Sequence, residues 1–173
     1  MLEDLLSLGK LEEGLIEARA SDFDACEWMK ELVAEMQEND ATHTIQIIKE
    51  GGDFFCTDKK LLRNVLVNLI SNAIKFSPSN AIVQIRCNVQ QEFWHLKVID
   101  SGIGISQDDS QHLFERFFRA KNASNIQGTG LGLYIVARYV ELLHGTIRLD
   151  SKLNEGTTVS IELPRLTPFD FAL

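Results

Sequence analysis

Residues 58–76 constrain this chain more than any other stretch. Leu62, Val65, Leu66, Leu69, Ile70 and Ala73 recur at spacings of three and four, the period of an amphipathic helix. Pro78 ends it, because the residue before a proline is pushed out of helical angles. Such a helix needs another layer to cover its apolar flank. Yet it also carries Asn68 and Asn72 four residues apart, with Lys75 three further on, so three polar groups project from neighbouring positions of one face. An unpaired buried amide costs about 1–3 kcal/mol, so both carboxamides require either solvent or a polar partner. A hydrated Mg2+ carrying phosphate oxygens is one such partner: amide carbonyl oxygens are hard ligands, and the Lys75 ammonium matches phosphate charge. Two solvated asparagines fit the same pattern.

The flanking segments predict a sheet against that helix. Residues 44–48 and 53–57 read as short strands divided by Gly51 and Gly52, while 81–89 and 93–99 alternate or run apolar as paired strands do. Residues 131–143 form a second amphipathic helix, and 146–149 and 157–163 close the chain as strands before a tail with Pro164 and Pro168. At the other end, Ser21 or Asp22 is placed to cap a helix running to about Met36. Leu5, Leu8, Leu11, Leu15 and Ala18 make one stripe of an earlier helix, interrupted by Gly9 and Gly14, which suits either a partner helix or packing on its own domain. Strands and helices that do not alternate strictly predict an α+β fold, one mixed sheet covered by helices on one face.

Length and charge narrow the class. The 173 residues suffice for one domain with an arm. Seventeen Lys plus Arg against 25 Asp plus Glu leave a net charge of -8, which opposes nucleic-acid binding of the usual basic kind. Cys26, Cys56 and Cys87 form no C-x-x-C pair, so neither a zinc ribbon nor a disulfide framework is supported. The most apolar stretch, 65–74, is interrupted by Asn68, Ser71 and Asn72 and is too short to span a bilayer. With no secretory pattern at the N-terminus, a cytoplasmic setting is expected, any membrane anchor belonging to a longer parent.

Two glycine segments carry the remaining chemistry. Asp100-Ser101-Gly102-Ile103-Gly104-Ile105 follows a strand, where alternate glycines let a planar group approach the backbone and the carboxylate accepts from an exocyclic amine such as that of adenine. Gly128-Thr129-Gly130-Leu131-Gly132-Leu133 opens the second helix, where uncovered backbone N–H groups and the helix N-terminus favour anions. It is neither a Walker pattern, which occurs nowhere in the chain, nor a dinucleotide fingerprint. Between them, Phe114, Phe117 and Phe118 suit a lid with Arg116 and Arg119 reaching phosphate, or equally a set of core aromatics with solvated arginines.

Taken in order, the segment 68–77, Asp100 to Ile105, Phe114 to Arg119, Gly128 to Leu133 and Gly156-Thr157-Thr158 resemble the catalytic ATP-binding domain of sensor histidine kinases, within the group shared with type II topoisomerases, the Hsp90 chaperones and MutL repair proteins. The resemblance covers about residues 23–164 and implies a Bergerat-type α/β sandwich with a mixed, mostly antiparallel sheet. It implies that Asn72, assisted by Asn68, holds Mg2+, that Lys75 contacts phosphate, and that Phe76 lies near the nucleoside. It further implies that Asp100 binds the adenine amine in a pocket shaped by Gly102 and Gly104, supported by Thr157. The segment Gly128, Thr129, Gly130, Leu131, Gly132 and Leu133 would wrap the phosphates of ATP, and Arg119 resembles a lid arginine that steadies the γ-phosphate. Residues 4–14 are similar to the end of the family's dimerisation and phosphotransfer helices, which divides the chain into a remnant, 1–20, and a catalytic domain with a short tail, 21–173.

In that family the phosphoacceptor histidine is followed by an acid, whereas His43, His95, His112 and His144 precede Thr44, Leu96, Leu113 and Gly145. The resemblance therefore implies an acceptor on a helical domain of the same or a sister chain, upstream of an excised piece. The expected activity is γ-phosphoryl transfer from Mg-ATP to that histidine, then to an aspartate of a response-regulator receiver domain, with homodimerisation through the N-terminal helix a further expectation. A nucleotide-binding regulatory module, an ATPase clamp of the topoisomerase or MutL sort and a serine-directed kinase are the competing readings.

Overall fold

The computed structural model describes residues 2–167. Helix α1 (Leu2–Glu12) is shorter than the 5–18 stripe predicts. It ends in a Schellman turn: Leu15 N–H bonds the Lys10 carbonyl at 2.9 Å and Gly14 N–H the Leu11 carbonyl at 3.2 Å, with Gly14 left-handed at φ 65°. The glycine thus stops the helix rather than weakening its middle. The leucine stripe divides as a result. Leu8 is buried in the domain core with Leu11 packed beside it, while Leu5 and Leu15 stay exposed.

The predicted cap at Ser21 or Asp22 is also corrected. Ser21–Asp24 is strand β1, and Asp24 caps α2 (Ala25–Asn39) by accepting from Glu27 N–H at 2.8 Å. Its partner is β3 (Phe54–Thr57), with Phe23 opposite Phe55, in a two-stranded antiparallel sheet apart from the main one. The reason is aromatic burial: Phe23 lies 5.4 Å from the Trp28 ring and 6.3 Å from that of Trp94, and Phe55 lies 5.5 Å from Trp94. Those contacts hold the segment extended.

Strands β2 (Thr44–Gly51), β4 (Ile82–Val89), β5 (Phe93–Asp100), β6 (Thr146–Lys152) and β7 (Gly156–Pro164) form the main sheet in the order β2-β4-β5-β7-β6. Only β2–β4 is parallel, so the sheet is mixed and mostly antiparallel, as expected. Side chains alternate strictly across it. Val83, Ile85, Cys87, Trp94, Leu96, Val98, Val159, Ile161 and Leu163 enter the core, whereas Arg86 and Lys97 stand on the opposite, exposed face. Helices α3 (Lys59–Phe76) and α5 (Gly132–Leu142) pack on the inner face with α2. All six apolar positions that defined α3 in the sequence are buried. Pro168 and the rest of the tail lie outside the described residues.

Asp58 joins these parts. Its Oδ1 accepts from Lys60 and Leu61 N–H, both at 2.8 Å, and its Oδ2 accepts from Arg19 N–H at 2.6 Å, tying the segment after α1 to the start of α3. Asp58→Ala should lower unfolding free energy by about 1–3 kcal/mol, read by urea denaturation, with Asp58→Asn costing less because one acceptor survives.

Candidate nucleotide site

A cavity of about 740 Å³ opens between α3, the end of β5 and the glycine loop that leads into α5. Its floor is apolar, from Val98, Ile135, Leu149 and Val159, because the inward faces of the sheet and of α5 run beneath it. Polar groups line it along the second half of α3, from Asn68 to Phe76, which the helical rise of 1.5 Å per residue sets about 12 Å apart.

At one end, Asp100 closes β5. Its Oδ1 accepts from Gly102 N–H at 2.8 Å and from Thr157 N–H at 3.2 Å. Burial pushes the carboxyl above the usual aspartate range, and these two N–H bonds pull it partly back. Ile103 N–H bonds the Phe76 carbonyl at 3.1 Å, so the Asp100 turn is stitched to the end of α3. Thr157 shares its hydroxyl with that of Ser151 at 2.8 Å. A Cβ on Gly104 would fall 1.9 Å from the Lys152 carbonyl oxygen, so this turn closes only around glycine.

At the other end, Asn72 Nδ2 donates to Asn68 Oδ1 at 3.1 Å, pairing the two amides that the helix period set side by side. The glycine loop comes close: a Cβ on Gly132 would lie 2.8 Å from Asn68 Oδ1, and one on Gly128 would lie 3.0 Å from Lys75 Nζ. Lys75 is held below the usual lysine range, first by burial and then by the neighbouring Arg119 charge. Its ammonium also stands 5.0 Å from the centre of the Phe76 ring. Gly130 is left-handed at φ 72° and sits against the backbone of Phe117, where a Cβ would meet the carbonyl carbon at 2.6 Å. Thr129 Oγ1 accepts from Leu131 N–H at 3.2 Å, while the start of α5 has no side-chain cap.

The lid between the two glycine segments contains a four-residue helix, α4 (Gln107–Ser110), and a 3-10 turn, Lys121–Ala123. The buried Asp109 anchors it by accepting from Lys121 N–H at 3.0 Å, and Asn122 Nδ2 donates to the Gly104 carbonyl at 2.8 Å. Arg119 borders the cavity, but its guanidinium donates to the carbonyls of Ala123 at 3.0 Å, Ser124 at 3.1 Å and Ile126. It organises the lid from within. Of the aromatics, Phe118 lines the cavity and Phe117 faces outward, 61% exposed, so the segment is not a core cluster.

The cavity thus gathers Asn68, Asn72, Lys75, Phe76, Asp100, Gly104, Arg119, Gly128, Thr129, Gly130, Gly132, Leu133 and Thr157. Gly102 and Leu131 do not border it: Gly102 serves through its bond to Asp100, and Leu131 is a fully buried core residue. Asp4, Ser7 and Asn122 border the cavity and were not anticipated, for nothing in their local sequence sets them apart.

Residues 57–167 match the family described as histidine kinase-, DNA gyrase B-, and HSP90-like ATPase. The chain belongs to that family, and its fold is that of an ATP-binding catalytic domain. It is 31% identical over 170 residues to the histidine protein kinase DivJ of Caulobacter vibrioides, covering 96% of this chain and 28% of DivJ. Among solved structures, a mycobacterial sensor histidine kinase, MprB, superposes with a TM-score of 0.71 at 26% identity, over 84% of this chain and 97% of that one. Full-length ShkA in complex with AMPPNP gives a TM-score of 0.82 at 24% identity, over 95% of this chain and 35% of ShkA, a likeness of fold. The chain spans about a quarter of the length of DivJ and of the circadian input-output histidine kinase CikA of Synechococcus elongatus.

Because the Gly104 turn has no room for a side chain, Gly104→Ala should lower unfolding free energy by at least about 2 kcal/mol, measured by chemical denaturation, while Gly9→Ala, with nothing within 4 Å, should be neutral or stabilising.

Proposed function

We propose that this chain is the catalytic domain of a sensor histidine kinase, holding Mg-ATP so that its γ-phosphoryl group passes to a histidine on a helical domain and then to a response-regulator aspartate. The observation that carries the reading is the convergence on one cavity of the Asn-rich face of α3, the Asp100 turn and the glycine loop, in a chain whose relatives are histidine kinases. Asp100 is the adenine end: a buried carboxylate fixed by two backbone N–H groups offers its remaining lone pairs to an exocyclic amine. Lys75 and the N–H groups of the glycine loop form the phosphate end, where the start of α5 adds its dipole.

The paired amides fit a divalent ion, since Asn68 and Asn72 present hard oxygen donors beside Lys75 and carry no competing charge. Mg2+, when bound, would supply charge neutralisation at the phosphate oxygens. The residues of this chain orient the nucleotide and exclude water; they supply no general base, as expected where positioning and electrostatics do most of the work. Arg119, tied to the lid carbonyls, acts on the phosphate through lid shape and through its own positive charge near Lys75.

None of the four histidines borders the cavity. His43 is bonded to Asp40 at 2.8 Å, His95 and His112 face Glu162 and Glu115, and His144 follows α5 in a left-handed turn. An external acceptor accords with this. The exposed side of α1, with Leu5 and Leu6, is the surface offered to a second helix for dimerisation.

Incubation of the chain with labelled Mg-ATP and a separately made histidine-bearing dimerisation domain of a sensor kinase should yield acid-labile phosphate on that domain and none on this chain. Phosphate on His43, His95, His112 or His144, or nucleotide binding with no transfer to any acceptor domain, would overturn the reading. A second expectation concerns pH. Lys75 is held below the ordinary lysine range, by burial and then by the Arg119 charge, so its own charge is lost as pH rises earlier than for a surface lysine. ATP affinity should therefore fall on the alkaline side in the native chain, and Lys75→Gln should bind more weakly at neutral pH without that fall, as followed by a fluorescent nucleotide.

A further inference from the structure

Helix α1 lies against the glycine loop and reaches the cavity. At its start, Asp4 Oδ2 accepts from the Thr129 hydroxyl at 3.1 Å, a contact across 125 residues of chain. Eight residues later, Glu12 pairs with the guanidinium of Arg116, which also donates to the Tyr134 hydroxyl at 2.9 Å and lies 4.9 Å over its ring. Between the two acids, Leu8 is buried in the core. Two carboxylates and a leucine therefore seat α1 along the loop and α5.

The position of Asp4 gives this seating a chemical consequence. Only Asp4 and Asp100 carry acidic side chains among the described residues lining the cavity, and Asp100 is engaged at the other end. Asp4 thus sets a carboxylate beside Thr129, in the segment whose N–H groups and helix dipole favour anions. Any phosphate entering that segment meets both the attraction of the loop and the like charge of Asp4, and the repulsion grows with the phosphate charge brought in.

We infer that Asp4 is a selectivity residue for the nucleotide: docked on Thr129, it weighs against the terminal phosphate, so that ATP binding and the seating of α1 oppose each other while adenosine is indifferent to both. The inference rests on the reading of the cavity as a nucleotide site. Asp4→Asn keeps an oxygen acceptor for the Thr129 hydroxyl and removes only the charge. Binding of adenosine, ADP and ATP, each with Mg2+, to the native chain and to this variant at low salt separates the cases. ATP affinity should rise about three- to tenfold, ADP affinity less, and adenosine affinity should not change; the gain should shrink in about 0.5 M salt as the charges are screened. Glu12→Gln loosens the far end of α1 without altering charge at the loop, so it should raise the ATP to ADP ratio by less than Asp4→Asn does. Unchanged or weaker ATP binding by Asp4→Asn, with adenosine binding intact, overturns the inference and leaves the cavity's assignment standing. An equal ratio shift in Glu12→Gln also overturns it, by assigning the effect to undocking alone. If the native chain binds neither adenosine nor ATP, the cavity's assignment falls and the inference with it.

Discussion

The architecture depends on one helix that cannot bury itself completely. Helix α3 commits Leu62, Val65, Leu66, Leu69, Ile70 and Ala73 to the core, which is the largest gain it has to offer, and so must dock on the sheet. The same docking carries Asn68, Asn72 and Lys75 to the edge of the core, where amides and an ammonium cannot be sealed in apolar surroundings without a large desolvation cost. The cavity is the resolution of that conflict. It leaves the polar edge of α3 in a space that is walled by other elements yet open to a ligand, and Asp58, by capping α3 and holding Arg19, ties the start of that helix to the segment after α1.

Everything else at the site is arranged around that edge by close backbone approach. The Asp100 turn and the glycine loop arrive from opposite sides, and both are made of glycine where a side chain would strike a neighbour: Gly104 against Lys152, Gly132 against Asn68, Gly130 against Phe117. Rigid pieces therefore meet around a gap lined by backbone N–H groups and a few charged tips. The lid adds a layer with its own internal bonds, from Asp109 to Lys121 and from Arg119 to three carbonyls, and touches the Asp100 turn through Asn122 and Gly104.

Helix α1 extends this logic beyond the domain proper. Its Leu8 joins the same core as α3 and α5, so the segment that resembles part of a helical phosphotransfer domain is packed on the catalytic body. That packing brings one acid, Asp4, to a loop suited to anions. On the inference drawn above, any force that lifts α1 also removes the Asp4 charge from the cavity.

Much of this was legible in the residues alone. The period of α3, the alternation of β4, β5 and β7, the turn after β5 and the glycines before α5 are local patterns, set by geometry repeating every few residues, and the folded chain keeps them. The fold class and the thirteen cavity residues anticipated from the sequence follow from those patterns and from a family resemblance that rests on them. What the sequence could not decide was partnership across long separations. Ser21–Asp24 became a strand because Phe23 found Trp28 and Trp94; Arg119 turned to the lid because three carbonyls converged on it; Asp4 entered the site through Thr129. Each outcome depends on the path of the whole chain, since a hydrogen bond or a ring contact is chosen by which groups the packed core brings within a few ångströms, and no local period encodes that.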